Sequence, residues 1–168
     1  MENRKADVPH EGDMITNLMH LPPVPALETG IRIERALPLD RPAVESFIRQ
    51  NFSERWVAEA DVALAQQPTT CYIAIRDHEV IGFSCFDATA PDFFGPIGVS
   101  EKARGKKVGA ALLLRTLHAM RERGYVYAVI GWVSDAAGFY ERELGARFIE
   151  GGEPENSIYG TMTESPDD

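Results

Sequence analysis

The sequence predicts an α/β (α+β) fold built on one mixed sheet with helices on both faces. Three observations carry that expectation. Two runs rich in β-branched and aromatic residues, 70–75 and 80–86, flank a short polar turn and read as a hairpin. A third run, Phe93 to Val99, passes through a small-residue turn into a long apolar helix, Val108 to Arg123. A further apolar run, 125–133, then returns as a strand. Strands first, followed by strand–helix–strand, is the order of a mixed sheet covered on both sides.

The remaining elements follow in order. Residues 1–29 carry Pro9, Pro22, Pro23 and Pro25 without a sustained period, and read as an extended arm with a short helical turn through Met14 to Met19. The domain proper is expected over 30–164, with 165–168 an acidic tail. Ile31 to Ala36 alternates as the first strand. Asp40 can cap a helix to about Asn51, with Pro42 tolerated in its first turn and Val44, Phe47 and Ile48 facing inward. Ser53 can cap a second helix to about Ala65, stopped before Pro68. A three-residue loop, Asp77-His78-Glu79, closes the hairpin and sets Cys71 opposite Cys85. The Gly95-Pro96 pair fits a regular central ladder poorly and argues for a bulge or a splayed edge. Leu112, Leu113, Thr116, Leu117 and Met120 give the long helix its inner face, and Gly124 ends it. A short helix at 136–143 and strands at Phe148 and Ile158 to Met162 complete the chain.

The composition bounds function. A chain of 168 residues with 44% hydrophobic and 26% charged residues suits one globular domain. No apolar run approaches the roughly 20 residues that cross a bilayer, and the N-terminus has no apolar signal core. The net charge is −9, yet Glu101 to Arg123 holds seven Lys/Arg against two Asp/Glu. A basic patch on an acidic body suits a small polyanionic cofactor and disfavours nucleic acid. Two cysteines cannot make a disulfide framework and read as reduced, packed thiols. The cytoplasm is the default compartment. No pair of histidines has a metal-ligand spacing, so no metal is expected.

The most informative stretch is Arg104-Gly105-Lys106-Lys107-Val108-Gly109-Ala110. A small-residue turn that opens a helix directs several unpaired backbone N–H groups at one point, and the helix dipole adds positive charge there. Such a turn suits a phosphate or pyrophosphate, and Arg104, Lys106 and Lys107 reinforce it. The Gly-x-Gly-x-x-Gly pattern of dinucleotide folds and a Walker-type lysine followed by Ser or Thr are both absent. The run Gly95 to Leu113 resembles the signature segment of the GCN5-related N-acetyltransferase superfamily. In that family an R/Q-x-x-G-x-G/A turn opens the helix that holds the pyrophosphate of acetyl-CoA. Arg104 falls on the first motif position, Gly109 on the last, and Lys107 where the middle glycine is usual. A lysine there serves only if the turn needs no positive φ. Gly138 to Phe148 is similar to the family's closing helix, whose tyrosine faces the thiol of CoA.

The resemblance covers roughly Ile31 to Thr163. It implies an acyl-CoA N-acyltransferase-like sheet of six to seven mostly antiparallel strands. It further implies a cofactor site at Arg104, Gly105, Lys106, Lys107, Val108, Gly109 and Ala110. Ile97, Gly98 and Val99 would bond the pantetheine arm and polarise the thioester. Tyr140 would act as general acid toward the departing thiolate, a phenol of pKa ~10 against a thiol of ~8–9. The family's usual asparagine before this helix is replaced by Val133, with Ser134 and Asp135 as polar alternatives. For the base, Asp87, Asp92 and Glu101 stand near the fourth strand. Phe52, Trp56, Phe93, Phe94 and Trp132 can line an acceptor pocket. The expected activity is acetyl transfer from acetyl-CoA to a primary amine, of a small molecule or a protein N-terminus, by direct attack. A catalytically silent acyl-CoA-binding or interaction module is the alternative. The last strands can pair across a homodimer.

Overall fold

The computed structural model describes residues 9–166. The chain runs β1 (Gly12–Asn17), β2 (Ile31–Arg35), α1 (Arg41–Asn51), α2 (Glu54–Ala65), β3 (Cys71–Arg76), β4 (Glu79–Phe86) and β5 (Phe93–Val99). It continues through α3 (Val108–Arg123), β6 (Tyr127–Val133), α4 (Ala137–Leu144) and β7 (Arg147–Phe148). The seven strands form one sheet in the order β2-β3-β4-β5-β6-β1-β7. Neighbours are antiparallel except β5 and β6, which the α3 crossover makes parallel. No helix among the described residues is long and apolar enough to cross a membrane.

Alternation along the central strands makes two cores. Tyr72 and Ala74 of β3 face Leu112, Leu113 and Leu117 of α3, whereas Cys71 and Ile73 face Val44, Ile48, Val57 and Ala60 of α1 and α2. Each fully buried leucine contributes about 1.5–3 kcal/mol by leaving water. Val44, Phe47 and Ile48 are buried as their spacing predicts. Ser53 caps α2 by accepting from the Trp56 N–H at 3.3 Å. Asp40 stands at the start of α1, but its carboxylate accepts from the Leu37 N–H at 2.7 Å and closes the preceding turn instead.

The N-terminal segment differs from expectation. Residues 12–17, read as part of an arm with a helical turn at Met14–Met19, form a strand inside the sheet, between β6 and β7. Met14 and Thr16 are buried while Ile15 and Asn17 are exposed. Gly12, Asp13 and Thr16 are buried beside Met14, so the six residues carry too little apolar signal to read as a strand alone. Beyond β1, Leu18, Leu21 and Leu27 pack onto the α3 core. His118 shares a hydrogen bond with the Pro22 carbonyl at 2.8 Å. Residues 1–8 of the expected arm, and 167–168 of the acidic tail, lie outside the described residues.

Two further corrections are local. The hairpin turn is the two-residue Asp77-His78, both at positive φ, which pairs Arg76 with Glu79. A register shift between Ala74 and Ile75 restores the count, so Cys71 does face Cys85; both are buried and free. The strand expected at Ile158–Met162 is a pair of 3-10 turns, Pro154–Asn156 and Ile158–Thr161. A Cβ on Gly160 would lie 2.5 Å from the Glu155 carbonyl oxygen, a packing that only this tight turn allows.

Asp87 and Asp92 bracket the loop into β5. Asp87 accepts from the Tyr125 hydroxyl at 2.9 and 3.0 Å and from the Asp92 N–H at 2.7 Å. Burial and the neighbouring Asp87 charge raise Asp92 to about 6. A raised folded value makes the Asp92 contribution favourable below the ordinary 3.8 and lost as pH climbs through 6. Asn tolerates the positive φ of 66° at this position. Asp92→Asn is therefore expected to stabilise the fold by about 1 kcal/mol at pH 7.5, discounted for partial exposure, and by almost nothing at pH 4. Thermal melts at both pH values check it.

Lys107 sits immediately before α3 at φ 63°, ψ 13°, in the left-handed region. The condition under which a lysine serves without strain there is not met. Removing the Cβ relieves about 1–2 kcal/mol, against a chain-entropy cost of about 0.5–1 kcal/mol. Lys107→Gly is expected to raise the melting temperature by roughly 1–3 °C. A lower melting temperature would mean that the side chain itself supports the turn.

Candidate active site

The site begins where two strands stop pairing. β5 and β6 share only the pairs Phe93↔Val129 and Phe94↔Ile130. Pro96 has no N–H to offer a ladder. On the other strand, the Trp132 N–H is given to the Asp13 carboxylate at 2.9 Å, at a bulge where β6 shifts register against β1. The strands part beyond these points and leave a cleft of about 920 Å³. Backbone groups of Gly95–Val99 that point toward β6 thus face the cleft instead of a strand. Gly98 is needed for shape: a Cβ there would lie 2.4 Å from the Phe52 ring.

At one end stands the start of α3. Ala111 makes the first helical bond, to the Lys107 carbonyl at 3.0 Å, and Lys107 provides no side-chain cap. The N–H groups of Val108, Gly109 and Ala110 therefore open onto a second hollow of about 380 Å³, lined also by Arg104, Gly105, Lys107 and Arg142. Both hollows share Val99, Arg104, Gly109 and Phe139, so they run together. Orphan amides, a helix N-terminus and exposed guanidinium and ammonium groups form a fitting cradle for a pyrophosphate. Of the cofactor residues expected from sequence, Ile97, Gly98, Val99, Arg104 and Gly109 line the larger cleft. Gly105, Lys107, Val108 and Ala110 line the smaller. Lys106 lines neither; its ammonium pairs with Glu28 at 3.0 Å.

Tyr140 lies on the wall between the two ends, 6% exposed, with its ring edge-on to Phe94 at 6.3 Å. Burial raises its phenol well above the ordinary range, so the group stays protonated. Val133, Ser134 and Asp135 also line the cleft. The bases considered from sequence are elsewhere: Asp87 and Asp92 brace the loop before β5, and Glu101 is exposed in a 3-10 turn. Burial and the neighbouring Cys71 push the Cys85 thiol up, and neither cysteine lines the cleft.

The far end is aromatic and acidic. Of the aromatic residues weighed from sequence, Phe52, Trp56, Phe94 and Trp132 line the cleft, whereas Phe93 does not. Sequence reasoning missed Glu59, Thr89 and Tyr159. Glu59 follows Trp56 by one helical turn, an i,i+3 spacing that places both on one face. Its carboxylate accepts a hydrogen bond from the Thr89 hydroxyl. Tyr159 arrives from the C-terminal 3-10 turn and packs tilted against Trp132, with ring centroids 5.4 Å apart. A Cβ on Gly131 would strike its hydroxyl at 1.8 Å. No local signal marks Tyr159, because its place depends on Ser157 bonding Asp13 across the sheet. Among the described residues no cluster of His, Cys, Asp and Glu is arranged to hold a metal ion.

This architecture is shared with solved structures. A GCN5-related N-acetyltransferase from Sphaerobacter thermophilus superposes with TM-score 0.68 at 22% identity, over 83% of this chain and 48% of its own. A GCN5-related glucosamine N-acetyltransferase region of a fungal multi-domain GH3 β-N-acetylglucosaminidase gives TM-score 0.67 at 16% identity, over 83% of this chain and 20% of its own. A GCN5-related N-acetyltransferase from Kribbella flavida gives 0.59 at 17%, over 84% and 55%. At such identities the likeness concerns the fold. The chain spans about half the length, or less, of these relatives. No curated protein matches it in sequence. The profile of the acetyltransferase (GNAT) family, however, matches residues 37–146, from the turn before α1 to the end of α4. The chain belongs to the acetyltransferase (GNAT) family.

Proposed function

We propose that the chain transfers an acetyl group from acetyl-CoA to a primary amine by direct attack on the thioester. One observation carries the reading: the parted β5 and β6 join a helix N-terminus, a buried tyrosine and an acidic aromatic pocket in one continuous cleft. Val108–Ala110 amides, Arg104 and Lys107 would hold the pyrophosphate. Ile97–Val99 would bond the pantetheine arm, and their N–H groups would steady the carbonyl oxygen as it gains charge. The acceptor is a small-molecule amine or a protein N-terminus. Buried, free Cys71 and Cys85 suit the reducing cytoplasm, where we place the reaction.

Tyr140 serves the leaving sulfur. Burial that raises its phenol also raises the basicity of a thiolate in the same cleft, so the two stay matched. Tyr140 donates a hydrogen bond as the C–S bond breaks, and the proton follows. One observation keeps a second reading open. The strained backbone at Lys107 lies in the pyrophosphate turn, as it would in a silent acyl-CoA-binding module that keeps the donor site and lacks turnover.

Thiol release from acetyl-CoA in the presence of an amine panel tests the reading; binding without release would favour the silent module. Tyr140→Phe is expected to lower kcat roughly 10–100-fold with the acetyl-CoA KM nearly unchanged. An unchanged kcat would remove Tyr140 from the reaction. A Cβ at Gly109 would make only ordinary contacts, 3.8 Å from Val99 and 3.9 Å from Phe139. Gly109→Ala should therefore fold normally, whereas Gly109→Trp should fill the cleft and abolish acetyl-CoA binding in a calorimetric titration. Normal binding by Gly109→Trp would remove the loop from the donor site.

A further inference from the structure

We propose that Glu59 is the carboxylate that receives the acceptor's ammonium group and takes its proton, and that the acceptor is a small amine bearing a flat apolar body. The proposal rests on acyl transfer to an amine in this cleft. Glu59 is half-buried on α2, and among the described residues its carboxylate accepts its hydrogen bond from a neutral hydroxyl, that of Thr89. A carboxylate partly withdrawn from water with only a neutral partner is poised for a cation. Burial pushes its carboxyl up, partly opposed by Thr89, which makes it a better proton acceptor than an exposed glutamate.

The shape beside it selects the rest of the molecule. Phe52 and Trp56 pack as tilted rings 4.9 Å apart on the β5 side of the cleft, and Trp132 and Tyr159 as tilted rings 5.4 Å apart on the β6 side. Two aromatic walls flanking one carboxylate suit a cationic head on a flat ring. Two of the other charged groups lining the cleft have separate ties. Glu11 accepts from the Trp132 indole at 2.7 Å, and Arg55 donates to the Thr163 carbonyl at 2.7 Å. Arg104 lines the hollow at the start of α3 as well, and Asp135, two residues past β6, is exposed where Glu59 is half-buried. Tyr159 stays protonated, held so by burial first and then by the charges of Glu59 and Asp13. It can therefore offer the ring edge and hydroxyl, but not a competing negative charge.

The step balances. Glu59 takes one proton from the ammonium and leaves a neutral amine, whose lone pair forms the bond to the carbonyl carbon. The C–S bond breaks, and the sulfur receives a proton from Tyr140. The proton shed by the new amide nitrogen restores Tyr140, and Glu59 releases its own to solvent.

Trp56 and Trp132 report binding directly, in the absence of acetyl-CoA. Titration with 2-phenylethylamine is expected to change tryptophan fluorescence saturably, with affinity weakened roughly 10–100-fold in Glu59→Gln and partly recovered in Glu59→Asp. The neutral 2-phenylethanol and the ringless diamine putrescine should both bind more weakly than 2-phenylethylamine. With acetyl-CoA present, kcat/KM for 2-phenylethylamine should fall by a similar factor in Glu59→Gln while the acetyl-CoA KM holds. Equal affinity of wild type and Glu59→Gln, or equal binding of the alcohol, would overturn the carboxylate's role; tighter binding of putrescine would overturn the flat acceptor. If Glu59→Gln does not fold, Glu59→Asp with the ligand series decides. The charge-dependent fluorescence response without any thiol release would leave the amine site standing and defeat acyl transfer instead.

Discussion

The separation of β5 from β6 is the constraint on which the rest of the site depends. A parallel pair joined by a crossover helix would ordinarily zip along its length, and here it stops after Phe94↔Ile130. Pro96 leaves β5 without a donor at that position, and on the opposite edge of β6 Asp13 holds the Trp132 N–H at a bulge against β1. α3 meanwhile packs beneath β3, β4 and β5 through Leu112, Leu113 and Leu117, so the strands separate beside an otherwise close-packed layer. Unpaired peptide groups in an apolar wedge are costly unless something occupies the gap. A molecule with amide groups of its own, running along Gly95–Val99, would meet that demand.

Charge then orders the cleft from end to end. An acidic chain of net charge −9 gathers its cations around the start of α3, where the helix dipole already favours an anion. Lys106 is drawn off by Glu28, leaving Arg104, Lys107 and Arg142 at the hollow. The opposite end carries Glu59 among aromatic rings. Between them the buried Tyr140 is neutral, suited to a step in which charge passes from nitrogen to sulfur. The aromatic wall is assembled from distant parts of the chain, since Asp13 holds both the Trp132 amide and the Ser157 hydroxyl.

Much of this was legible wherever structure is local. The strand–turn–helix from Phe93 to Arg123, the inner face of α3 and the cap at Ser53 all follow from spacing over a few residues. The Gly95-Pro96 pair, which argues for a bulge or a splayed edge, stands where β5 shifts register against β4 and stops pairing with β6. Cys71 was placed opposite Cys85 although the turn is one residue shorter than expected, because a bulge at Ala74–Ile75 compensates. What escaped depends on partners far away in sequence. β1 is a strand because β6 and β7 flank it, and Tyr159 enters the cleft because Gly131 leaves room and Asp13 anchors Ser157. Glu59 was within reach of the i,i+3 rule from Trp56, but only the Thr89 contact identifies it among many helical glutamates. The positive φ at Lys107 was posed by the missing glycine and answered only by the backbone.

In the proposed reaction the gap between β5 and β6, with the start of α3, holds an acyl-CoA donor. An amide-resolved NMR titration of the isotopically labelled chain with CoA tests it most directly. The largest shifts are expected at Ile97, Gly98, Val99, Val108, Gly109 and Ala110, with β2 and α1 little changed. An absence of shifts at those amides, or shifts confined to the opposite edge of the sheet at β2, would contradict it.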